Sequence, residues 1–147
     1  MTTPIDRIEN SEALISLFGY WPSFHDAEVI QILIRRFSAH GGAPSLSADV
    51  HVFEMTNQLN SDGYYICHKH SVVSLLFQEL DELTMDGFNH QNALSELSIA
   101  ETETGGALRV IFDSAYGLQS EFTCRAIKVV SAVPGIPPTS VYSPQKA

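Results

Sequence analysis

From Ala27 to Val130 apolar and polar residues alternate with a period of two, broken at short intervals by runs rich in glycine, asparagine or serine. That period belongs to a strand with one dry and one wet face, whereas a helix repeats every 3.6 residues. A chain written this way has to build most of its core from sheet. "AEVIQILIRRF" sets Ile30, Ile32 and Ile34 against Val29, Gln31, Leu33 and Arg35, and "LSADVHVFEM" sets Val50 and Val52 against His51 and Phe53. "ALSELSIAE", "ALRVIFD" and "LQSEFTCRAIKVV" continue the pattern. The breaks are "SAHGGAPS", "NQLNSDG", "DGFNHQN", "TGG" and "SAYG", with Asp62-Gly63 a hairpin signal. Only "YYICHKHSVVSLLFQEL" reads two ways. Tyr64, Ile66, His68 and His70 alternate, but Val72, Leu76, Leu80 and Leu83 also fit a helical stripe. The β-branched pair Val72-Val73 and the neighbouring strands favour strand.

One helix is expected, over residues 10–18. Asn10 or Ser11 can cap it, and Leu14, Leu17 and Phe18 form one stripe. Gly19 gives a left-handed stop and Pro22 forbids continuation. The expected fold is α+β: an antiparallel meander sheet of about six strands, a short N-terminal helix packed on it and a Pro-rich C-terminal tail. The expected organisation is one domain over residues 1–130, followed by an extended or mobile tail over 131–147 that holds four of the seven prolines.

Charge narrows the partners. At a formal net charge of −9 the surface repels phosphate backbones, which argues against nucleic acid, and it attracts a basic partner. The two cysteines, Cys67 and Cys124, lie in apolar strand-like runs and read as small hydrophobes in a reducing compartment. The N-terminus lacks a basic segment followed by an apolar one, and no apolar run is long enough to span a bilayer. A cytoplasmic location, with no membrane partner, is expected.

Three stretches could carry chemistry. In "GYWPSFHDAEV", His25-Asp26 has the composition of a general base or metal ligand with its carboxylate, but neighbours on an extended chain point apart. A rigid corner, with Asp26 pinning the turn and Trp21 and Phe24 packed under the helix, accounts for the same residues. In "HKH", His68 and His70 would share a strand face as paired metal ligands do, with His51 the nearest third candidate. No further ligand stands at a diagnostic spacing, so no metal and no cofactor are expected. In "FNHQN", Asn89, His90, Gln91 and Asn92 could hold a ligand or satisfy the backbone of a bend. No nucleophile elbow, phosphate loop or paired-carboxylate motif is present, and no catalytic residue is assigned.

Three blocks, "LFGYWPSFHDAEV", "GFNHQNALSELSI" and "FDSAYGLQSEFTCRAIKV", follow one another across residues 17–130. In wording and order they resemble the Imm50 immunity proteins of bacterial polymorphic toxin systems. The resemblance implies a small non-catalytic α+β protein that binds the active part of a cognate toxin. The family's recurrent positions match Trp21, Phe24, His25, Asp26, Phe88, Asn89 and Asn92, and they read as fold-defining. A toxin-facing surface would then use acidic and aromatic residues on loops and the open sheet face. The candidates are Asp49, Glu54, Asp62, Tyr64, Glu96, Glu101, Glu103 and Glu121. The rival reading is a metal-dependent enzyme or small-ligand binder built on His25, His51, His68, His70 and His90. A homodimer formed through a free sheet edge is the third.

Overall fold

The alternating runs do form strands, but more of them than the periodicity marks and in an order it does not reveal. The computed structural model describes residues 3–37, 41–138 and 140–142; parts of the 38–45 loop and of the Pro-rich tail fall outside that range. The strands are β1 (Ile8–Glu9), β2 (Glu28–Arg35), β3 (Ser45–Leu59), β4 (Tyr65–Gln78) and β5 (Asp81–Asp86), then β6 (Ala93–Glu101), β7 (Leu108–Tyr116), β8 (Gln119–Cys124) and β9 (Ala126–Pro134). The helix α1 spans Glu12–Phe18. Strand makes up 58% and helix 7%, so the α+β meander of about six strands gives way to a single nine-stranded sheet. The sheet is mixed, because β1 runs parallel to β9 while the other pairs are antiparallel. Its order is β1-β9-β4-β3-β2-β6-β7-β8-β5.

The extra strands have local causes. β1 is two residues long and leaves no period to detect. β5, "DELTMD", has too few apolar residues to announce itself. The single run read from Leu118 to Val130 breaks at Arg125 into β8 and β9, which go to different parts of the sheet. The ambiguous stretch is strand, as β4.

The sheet is strongly curled. β4 and β7 are four steps apart in the order, which in a flat sheet would separate them by roughly 19 Å at about 4.8 Å per step. Yet the Phe77 ring in β4 lies 5.9 Å from Phe112 in β7 and 5.1 Å from Phe122 in β8. The two wings therefore fold onto each other about the β2–β6 junction, where one residue pair, Glu28 with Ala93, carries the strand pairing. Val50, Val73, Leu75, Leu108, Val110 and Val129 fill the space between the wings with these rings. Leu14 and Phe18 of α1 join the same core, as the helical stripe requires.

Gly19 closes α1 in the left-handed region at φ 85°, with its N–H on the Ile15 carbonyl. A Cβ there would meet no atom within 4 Å, so only conformation opposes one. Gly19→Ala is expected to cost about 1 kcal/mol in denaturant unfolding, with an unchanged m-value.

Two irregularities decide what faces where. A bulge between Val29 and Gln31 breaks β2 out of step, so Ile30 and Ile34 are exposed rather than forming the expected dry face; Ile32 is half-buried against the core. In β4, Lys69 takes φ 59°, and two residues, Lys69 and His70, stand against Phe53 alone. His68 pairs across from Glu54, while His70 turns to the other face and contacts Phe53. At Val50–Phe53 both faces of β3 are buried. The even-numbered residues face the main core, and His51 and Phe53 lie under the returning tail, where Tyr142 packs 4.6 Å from the Phe53 ring. Among the described residues no helix is long and apolar enough to cross a membrane.

Candidate functional site

The corner after α1 is built from two left-handed residues. Phe24 and Asp26 both sit at φ 64°. For a bulky side chain this conformation costs on the order of 1–2 kcal/mol and persists only where surrounding contacts fix it. Here Phe24 is buried and its ring lies 5.7 Å from Trp21. The Asp26 N–H donates to the Leu94 carbonyl at 2.7 Å, and Leu94 N–H donates to Ala27 at 2.9 Å. The His25 ring reaches the Ser95 carbonyl through Nδ1 at 3.1 Å, so the corner is bolted to β6. His25 Nε2 also lies 3.6 Å from an Asp26 carboxylate oxygen. The left-handed turn removes the alternation that would have pointed the two side chains apart.

This corner forms one wall of a 740 Å³ groove. Tyr20, Trp21 and His25 face Phe53, Glu54 and Met55 of β3, and Glu96 and Leu97 of β6 complete it. Glu54 accepts a hydrogen bond from the Tyr20 hydroxyl and has the Lys69 ammonium at 3.6 Å. Those contacts, the Tyr20 hydrogen bond first, hold the Glu54 carboxyl below its ordinary value. The same bond, with partial burial, pushes the Tyr20 phenol up to about 12. Lys69 also lies 5.9 Å from the Tyr20 ring centre and donates to the Phe18 carbonyl.

The asparagine turn is a knot of hydrogen bonds. Asn92 Oδ1 accepts from Asn89 N–H at 2.7 Å and from Leu118 N–H at 3.2 Å, and Asn92 Nδ2 donates to the Val29 carbonyl at 3.2 Å. Asn89 Oδ1 accepts from the N–H groups of Gln91 and Asn92. Asn92 thereby ties β2, the turn and the β7–β8 corner together. Phe88 is half exposed, and His90 packs edge-on against Tyr116.

The histidines divide. His51 is fully buried; it pairs through Nδ1 with Glu28 at 2.7 Å and through Nε2 with His70 Nδ1 at 2.9 Å. Ser140 donates to Glu28, and Tyr142 lies over His51 and His70. Burial alone would raise the Glu28 carboxyl, but the hydrogen bonds from His51 and Ser140 outweigh it and keep the carboxyl below its ordinary value. Burial, followed by the charge of His51, lowers His70. Burial pushes the Tyr142 phenol up to about 12. His68 stands on the other face, so the trio His51, His68 and His70 does not converge. Among the described residues no group of three or more His, Cys, Asp or Glu side chains could hold a metal ion. Sequence reasoning missed Glu28, Ser140 and Tyr142. A carboxylate opening a strand and a serine in a proline-rich tail give no local sign that they will meet.

The acidic and aromatic candidates scatter as well. Asp49 accepts from Ser74 Oγ at 2.7 Å within the sheet. Glu101 pairs with Arg7 and Glu121 with Arg109, each at 2.7 Å. Asp62 and Tyr64 are exposed at the tip of the β3–β4 hairpin, and Glu103 is exposed in the β6–β7 turn. Only Glu54 and Glu96 are brought into one cavity.

Residues 10–135 match the family model described as Immunity protein 50. No curated protein and no solved structure matches the chain.

Proposed function

Because this chain belongs to the Imm50 family of immunity proteins, we propose that it binds a cognate bacterial toxin domain and neutralises it by covering the toxin's working surface. Family membership carries this reading, and the surface supports it. The groove beside the corner joins exposed aromatic and thioether surface with carboxylates, which is the mixture that anchors a tight interface. A net charge of −9 steers the protein toward a basic partner. In this reading the molecule makes no bonds of its own and acts in the cytoplasm of the producing cell. Trp21, Phe24, His25, Asp26, Asn89 and Asn92 then serve the fold: the His25, Asn89 and Asn92 side chains bond backbone groups, Phe24 is buried against Trp21, and Asp26 N–H is tied to Leu94.

Co-expression with the toxin domain encoded beside it tests the proposal. Growth is expected to be rescued, and the two purified proteins are expected to co-elute. Failure to bind at micromolar concentration would remove the reading.

A further inference from the structure

β3 is longer than the strand beside it. β2 pairs with β3 from Ser45 to His51 and stops there, because the chain enters β2 from the corner. β3 continues to Leu59, paired only with β4. Among the described residues no backbone hydrogen bond joins the corner to β3 beyond His51. The groove occupies this gap, with Phe53–Met55 on one side and Glu96 and Leu97 of β6 on the other. β6 is one strand beyond β2 in the sheet order, so the gap is about one strand wide.

From this we propose that the groove accepts an extended, cationic segment of the toxin, which adds as a short strand along the free edge of β3 at Phe53–Thr56; this deepens the immunity reading and rests on it. Unpaired edge groups supply main-chain hydrogen bonds, and side chains at alternate positions then drop toward the walls. Trp21 on the corner wall and Met55 on the β3 wall offer apolar surface, Met55 being 39% exposed. Lys69, between Glu54 and the Tyr20 ring, shows what environment a cation finds here. On the β6 wall Glu96 is exposed and has no ion pair among the described residues, so it is the position left for a cation of the partner. At β6 the Ser95 carbonyl is already taken by His25, which leaves β3 as the edge that receives the strand.

Hydrogen exchange on the protein, alone and with the toxin domain encoded beside it, reads the outcome. The expected result is slowed exchange at those amides of Phe53–Thr56 that face the groove rather than β4, and binding weakened about tenfold or more by Glu96→Lys, with the melting temperature unchanged. Tight binding that leaves those amides unprotected would overturn the slot and leave the immunity reading standing. If the toxin domain does not bind, that reading falls, and a capped (Val-Arg)4 peptide decides the slot alone. Amide shifts at Phe53–Thr56 with this peptide but not with (Val-Glu)4 would keep it; unchanged shifts would remove it.

Discussion

Gly117→Ala is expected to destabilise the protein by roughly 4 kcal/mol, enough to remove much of the margin of a domain this size. Two penalties combine. Gly117 sits at φ +96°, where any Cβ is strained. That Cβ would also lie 2.4 Å from Asn89 Oδ1 and 2.9 Å from Asn92 Oδ1, well inside contact distance. Neither oxygen can retreat freely, because each already accepts two backbone N–H groups. Moving them orphans donors, and Leu118 N–H is buried. Asn92→Ala should cost about 3 kcal/mol through the same bonds, and the double variant should cost much less than the sum. Urea unfolding of the four proteins measures this. Strict additivity, or a loss below about 1 kcal/mol for Gly117→Ala, would show that the knot is not a unit. The contrast with Gly19→Ala isolates the steric part, since Gly19 has the strained φ and no neighbour.

Glu28→Ala is expected to cost about 3–4 kcal/mol, because a buried pair broken from one side leaves the other side unpartnered. The fully buried His51 loses its Nδ1 partner, and Ser140 Oγ and Val141 N–H lose their acceptor. The segment 140–142 should come away from Phe53, which a limited-proteolysis time course will show as earlier cleavage in the tail. Glu28→Gln keeps the size and one acceptor and should cost about half as much.

The same network gives a pH dependence of definite sign. His70 is depressed from its ordinary 6.5, so the unfolded chain takes up its proton first, and the associated stability falls as pH drops below 6.5. Glu28 is depressed from 4.5; its contribution is complete above that value and is lost as pH falls through its lower folded value. Stability should therefore decline in two stages on acidification, and His70→Phe should remove the first. A flat profile between pH 7 and 5 in the parent protein would contradict this account.

Local chemistry carried the sequence reading far. The strands from β2 to β4 and from β6 to β9 follow from a period of two, and α1 from its three-residue stripe and Gly19. The proline and two left-handed residues that turn the chain after Gly19 lie in a segment legible as a corner. The asparagines of "FNHQN" are legible as a bend that satisfies its own backbone. The wording of three blocks pointed to the family that residues 10–135 match.

Strand order, curl and the contents of the second face were settled only by the fold. Each depends on pairing between residues distant in sequence, and periodicity reports only what neighbours on one strand do. Nothing around Lys69 says that its backbone will turn left-handed, yet that single bulge sends His68 to the groove side and His70 to the buried network. Nothing near Glu28 names Ser140, more than a hundred residues away, as its donor. Alternation determined that this chain would be sheet; how that sheet closes is set by contacts such as Phe77 against Phe112 and Phe122, which join strands distant in sequence.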